Sequence, residues 1–215
     1  MRRVSEFWQD RSVTNKIILV NIAVFVAVTI FLMFNQGFLD YVALKPSNIL
    51  QGKMLWTIFT SMFMHGSVAH LFVNMLSLFF IGNFVERLIG RKRFLIFYIL
   101  AGLVAAMFFV LLAFVFSSEM NSYAVGASGA IFALGALLMI LVPRLPVLVF
   151  FVLPMPLWLG MLVLLFGIWI LSYFAGIPIG NTAHLGGFLI GLAYGIWLRI
   201  KYKKKVRMLS YYVTR

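Results

Sequence analysis

The sequence predicts an all-α integral membrane protein of six spanning helices with both termini on the cytoplasmic side. Three observations carry that expectation. Apolar residues make up 64% of the chain and charged residues only 11%, against roughly a quarter charged in ordinary soluble domains. Six apolar runs approach the roughly 20 residues that a helix needs to cross the hydrocarbon core. Basic residues, finally, cluster at the ends of alternate runs.

The first run covers residues 17–34 and follows Arg2, Arg3, Arg11 and Lys16. It is too long for a signal-peptide core and no small-residue cleavage site follows, so it reads as a retained helix. Further runs cover residues 68–85, 94–116, 128–143, 156–174 and 184–200. Residues 145–153 are apolar but too short to span, and Pro146, Pro154 and Pro156 interrupt them; this stretch is expected at the membrane interface. Lys and Arg then choose the orientation. Four precede the first run, four follow the second (Arg87, Arg91, Lys92, Arg93), Arg144 follows the fourth, and seven lie from Arg199 onward. These sixteen face only Lys45 and Lys53 on the opposite side. The chain thus divides into a cytoplasmic N-terminal segment (1–16), a helical bundle (17–200) and a basic cytoplasmic tail (201–215).

The net charge of +13 follows helix ends instead of covering one face of a soluble fold, so the lipid bilayer, and no nucleic acid, is the expected partner. The tail reads as an anchor to anionic lipid. The chain has no cysteine, three histidines and five carboxylates. Disulfides, thiolate metal sites and cysteine nucleophiles are therefore excluded.

Polar side chains inside lipid are costly unless paired, which makes each one a functional candidate. His70 and Asn74 are four residues apart and share a helix face, a pair that also fits plain hydrogen-bonded helix packing. Ser128 stands among small residues, Gly126-Ala127-Ser128-Gly129-Ala130, where a close-packing role is the simplest reading. Yet its helix is short, about 22 Å long against a core of about 30 Å. Ser128 would then begin a helix at membrane depth, which is tolerated around a water-filled cavity. His184 shares a face with Gly187 and Gly191, three and seven residues on, in a stripe that continues to Gly195. A helix docking on that stripe meets His184 at short range. Leucine at Gly191 would part the two helices, with alanine the milder change.

Serine is a weak nucleophile until a neighbouring base takes its proton, a task suited to neutral imidazole. The oxyanion that follows needs donors, and His70, Asn74 and the Ser128 amide could supply them. Asp40, Glu119 and Glu86 all lie outside the spans, so a dyad is expected in preference to a triad, with Phe132 one turn below Ser128 holding the imidazole by ring stacking. Zinc hydrolysis wants a glutamate between two histidines four residues apart, and an aspartyl dyad wants two intramembrane aspartates. Neither exists here, and no metal or cofactor is expected.

Three motifs now agree in order and helix placement: His65-x4-His70-x3-Asn74, Gly126-x-Ser128-Gly129, and Ala183-His184-x-Gly186-Gly187-x3-Gly191. With them the chain resembles the rhomboid intramembrane serine proteases from its first helix to Arg199, in a six-helix rhomboid-like bundle. The resemblance implies Ser128 as nucleophile and His184 as general base. It makes His70, Asn74 and Gly126 the oxyanion side and His65 a structural residue of the first outer loop, while Phe132, Gly187 and Gly191 remain the supporting residues that helix spacing points to. It also implies a multi-pass protein of the cell or inner membrane that cleaves single-span membrane proteins near their outer boundary. Trp56 is followed by Thr57 where some members carry Trp-Arg, which leaves that loop's anchoring open. Two other readings stand beside it. A catalytically inactive rhomboid-like protein that binds client helices would lack the serine or histidine. A transporter would show paired ionisable residues or inverted repeats.

Overall fold

The computed structural model describes residues 12–149, 152–175 and 180–213, and over these the chain is mostly helical. Six apolar helices follow the six runs: α1 (Val13–Phe34), α2 (Val68–Ile89), α3 (Arg91–Leu112), α4 (Ser128–Leu141), α5 (Leu157–Ala175) and α6 (Asn181–Lys201). Five are long and apolar enough to cross a membrane; α4, with 14 residues, is shorter. Arg2, Arg3 and Arg11 lie outside the described residues.

Helix ends fall where capping groups stand. α1 begins at Val13 because the Ser12 hydroxyl accepts the Asn15 N–H. Glu86, near the end of α2, accepts the N–H groups of Val13 and Thr14, each at 2.8 Å, and the Thr14 hydroxyl at 2.7 Å. A carboxylate there satisfies orphan amides and meets the positive end of the helix dipole. Gly90 breaks α2 from α3 with a φ of +87°, a conformation open to glycine.

α4 is the centre of the bundle. Eleven of its fourteen residues are buried, whereas α1 buries only four of twenty-two. Residues such as Val26, Phe31, Phe166 and Ile170 are exposed on the outer helices, as lipid-facing side chains would be. α6 lies against α4 through glycine: Gly187 abuts the Gly129 carbonyl, Gly191 the Ala133 carbonyl, and Gly195 the Ile140 side chain. Without side chains at those points the two backbones approach closely.

Three segments carry more structure than their sequence announced. The stretch expected at the interface contains an antiparallel pair of strands, β1 (Pro146–Val149) and β2 (Leu153–Pro156), with Pro146 opposite Pro156. It leads into α5, whose first amides donate to Leu145 and Pro143. The connection from α1 to α2 contains short helices at Leu39–Val42, Pro46–Leu50 and Thr57–Thr60. There Trp56 Nε1 donates to the Tyr41 carbonyl at 2.9 Å, and the buried Thr57 donates its hydroxyl to Met54 at 2.7 Å. These contacts anchor the loop where the Trp56-Thr57 pair had left it open. The basic tail forms a further helix, α7 (Lys203–Val213), whose Val206 and Leu209, together with Tyr202, pack back on the core.

Candidate active site

Ser128 is the first residue of α4, and the preceding Ala127 offers no side-chain cap. The first-turn amides therefore lack intrahelical partners. Fourteen residues give α4 a length of about 21 Å, so a helix ending near one membrane surface starts several ångströms inside the other. Burial by its neighbours permits this, because backbone ends are tolerated at membrane depth only where protein or water, not lipid, surrounds them.

His184 lies in the first turn of α6, and its Nε2 is 2.8 Å from Ser128 Oγ. That is hydrogen-bond length for a hydroxyl and an imidazole. Phe132, one turn after Ser128, points at the same helix and stacks on the His184 ring, with centroids 4.6 Å apart and planes 22° apart. The stacking fixes the ring plane without a carboxylate partner.

His70 and Asn74 stand on α2, across a cavity of about 680 Å³ that Gly126, Ser128, Phe132 and His184 also line. The Ser67 hydroxyl caps α2 by accepting the His70 N–H. One amide N–H of Asn74 donates to the His70 carbonyl at 2.9 Å, which sets the side-chain direction and leaves a second N–H on the same nitrogen. Gly126 must be glycine on two counts. Its φ is +116°, and a Cβ would fall 2.9 Å from both Cε1 and Nε2 of His70. Its N–H donates to the Ser61 carbonyl at 2.9 Å.

His65 stands behind this wall. It is buried, with its ring edge-on to His70 at 5.1 Å. Burial, then the neighbouring His70, lower its ring to about 4, so it stays neutral at ordinary pH. Gly187 and Gly191 hold α6 on α4 behind the paired serine and histidine. The structure thus brings Ser128, His184 and Phe132 into contact, gathers His70, Asn74 and Gly126 on the cavity wall, and sets His65 and the two glycines as support. Among the described residues no group of three histidines and carboxylates is arranged to hold a metal ion.

In the sequence Glu119 is only an outer-loop carboxylate. Its Oε2 accepts the Thr182 hydroxyl at 2.7 Å, tying the α3–α4 loop to the start of α6, two residues before His184. Burial raises its carboxyl above the ordinary range, against the opposing effect of the Thr182 hydrogen bond. Periodicity could not reveal this contact; the only local signal is a lone carboxylate beside an apolar run.

Residues 52–201 match the family model described as Rhomboid domain. Among known proteins, Rhomboid protease GluP of Bacillus subtilis is 42% identical over 97 residues, covering 45% of this chain and 18% of that protein. RHOMBOID-like protein 1 of Arabidopsis thaliana is 34% identical over 161 residues, covering 74% of this chain and 38% of that protein. Inactive RHOMBOID-like protein 8 of the same plant is 30% identical over 150 residues, covering 66% and 37%. The chain spans less than two fifths of the length of each of these relatives.

Proposed function

The chain belongs to the rhomboid family of multi-pass membrane proteins, and we propose that it is an intramembrane serine endopeptidase with Ser128 and His184 as its dyad. The observation that carries this reading is the 2.8 Å contact between Ser128 Oγ and His184 Nε2 on the wall of a cavity inside an apolar bundle. Ser128 Oγ attacks the carbonyl carbon of the scissile peptide while neutral His184 takes the hydroxyl proton at Nε2. The charge that develops on the carbonyl oxygen meets the Ser128 amide and the side chains of His70 and Asn74. The imidazolium then gives its proton to the leaving amine. Water then attacks the acyl carbon as His184 takes its proton; the bond from that carbon to Ser128 Oγ breaks, and His184 returns the proton to Oγ.

The proposed frame is a six-span bundle over residues 17–200, in which the short, buried α4 counts as a span beside the five longer helices. Residues 1–16 and the tail from 201 lie on the cytoplasmic side, since basic residues favour that side. Ser128 then opens toward the outer leaflet, where a single-span substrate can unwind into the cavity. An inactive family member among the relatives keeps a client-binding reading in view. The hydrogen-bonded serine and histidine favour catalysis over it.

Reconstituted protein should cleave a generic single-span substrate and should be labelled at Ser128 by a phosphonylating reagent. Ser128→Ala should abolish both while the protein remains folded in the membrane. Cleavage by Ser128→Ala at the wild-type rate would remove the assignment.

A further inference from the structure

At the end of the bundle away from Ser128, a cleft of about 200 Å³ lies between the bundle and α7. Its walls include Leu88, Leu141 and Leu198, from α2, α4 and α6, while Arg93 of α3, Lys205 of α7 and Tyr202 just before α7 line it too. Two cations from different helices therefore border one apolar slot. We propose that this cleft binds the headgroup phosphate of an anionic phospholipid, with the lipid's apolar body against the leucine wall.

Charge complementarity argues for that occupant. Arg91, Lys92, Arg199, Lys203, Lys204 and Arg207 crowd the same end, and Glu86 is the one acidic residue there among the described residues. That carboxylate is already taken up by three hydrogen bonds from α1 and lies 3.7 Å from Arg91 Nε. Among the described residues no other carboxylate at this end is left to neutralise Arg93 and Lys205, and basic pockets of this kind suit acidic headgroups. Lys201 is engaged elsewhere, with its Nζ over the Trp197 ring at 4.5 Å. The shape of α7 fits as well. Its apolar stripe faces the bundle, while Lys203, Lys204 and Arg207 are exposed, the arrangement of a helix lying in a headgroup layer. A free phosphate would leave the leucine wall wet, and a zwitterionic choline lipid would bring a third cation to the slot.

The test uses the full chain in neutral detergent, titrated with short-chain phosphatidylglycerol, phosphatidylcholine or inorganic phosphate, with bound species read by native mass spectrometry. Phosphatidylglycerol should bind one to one and more tightly than the other two. Each basic residue near such a headgroup contributes roughly fivefold in affinity, so Arg93→Gln with Lys205→Gln should weaken binding about thirtyfold. Lys203→Gln with Arg207→Gln removes the same charge outside the cleft and should cost no more than a few-fold. Lys205 is exposed, so Lys205→Gln alone, with a loss of about fivefold, serves where the double variant does not fold. Equal losses in the two double variants would overturn the proposal in favour of general surface attraction. Equal binding of phosphatidylcholine, or displacement of the lipid by inorganic phosphate at matched concentration, would overturn it too.

Discussion

Alanine at Gly187 tests the site without touching a reacting atom. Gly187 is one turn after His184 and abuts the Gly129 backbone, the residue following Ser128. A Cβ there would stand 2.8 Å from the Gly129 carbonyl carbon and closer still to its oxygen. Ordinary contacts at a Cβ begin near 3.4 Å, so clearing the oxygen takes a withdrawal of α6 by more than about 1 Å, since backbone cannot rotate aside as a side chain would. The same withdrawal acts beside the 2.8 Å bond between Ser128 and His184. It takes that bond well past hydrogen-bond range. Misplacement on the scale of 1 Å can cost on the order of a hundredfold in rate, and Gly187→Ala should lose about that much in kcat with less change in KM. Helix propensity works the other way by about 1 kcal/mol, so thermal stability should fall less than activity. Ile196→Ala on the exposed face of α6 is the control and should cleave normally. Cleavage of a reconstituted single-span substrate is the assay. Wild-type kcat in Gly187→Ala would mean that α6 does not hold His184 through this contact, and the reasoning would fail.

Three other outcomes are expected. Cleavage should fall on acidification, because protonated His184 cannot accept the Ser128 proton; a pH–rate profile that instead rises toward pH 5 would contradict the general-base role. Glu86→Ala should destabilise the protein by about 3 kcal/mol, since it strands buried donors at the start of α1, and a denaturant titration showing no loss would refute the capping role. Glu119 has a raised carboxyl pKa, so its contribution to stability is complete below the ordinary value of about 4.3 and is lost as pH rises through the folded value. Glu119→Gln should therefore flatten the fall in melting temperature across that interval, and identical pH curves for the two proteins would rule the contribution out.

The six apolar segments were legible in the chain because a helix in lipid must satisfy its own backbone and face a uniform apolar solvent, so length and composition suffice to find it. Ser128, His184, His70 and Asn74 stood out for a related reason: polar groups are scarce there, and each one is conspicuous. Phe132 was reachable by helical spacing from Ser128. Contacts between distant segments were not legible. Nothing local to Glu119 or Thr182 announces their hydrogen bond, and nothing in the sequence states that Pro146–Val149 pairs with Leu153–Pro156 or that Lys203–Val213 docks as a helix.

Alanine at Gly191 shows the same divide. The glycine stripe marked the face on which α6 docks, and its periodicity suggested that alanine would be mild. In the folded chain Gly191 lies on the Ala133 backbone, with that residue's carbonyl carbon and Cα both 2.8 Å from where a Cβ would be, so even one methyl has no room. Sequence by itself determined which residues are apolar, which are polar and how each falls on its own helix, because those follow from local periodicity and solvent. How closely two helices approach, and hence whether Ser128 and His184 meet at 2.8 Å, was decided only by tertiary packing, because that distance depends on side-chain volumes summed across α3, α4 and α6 together.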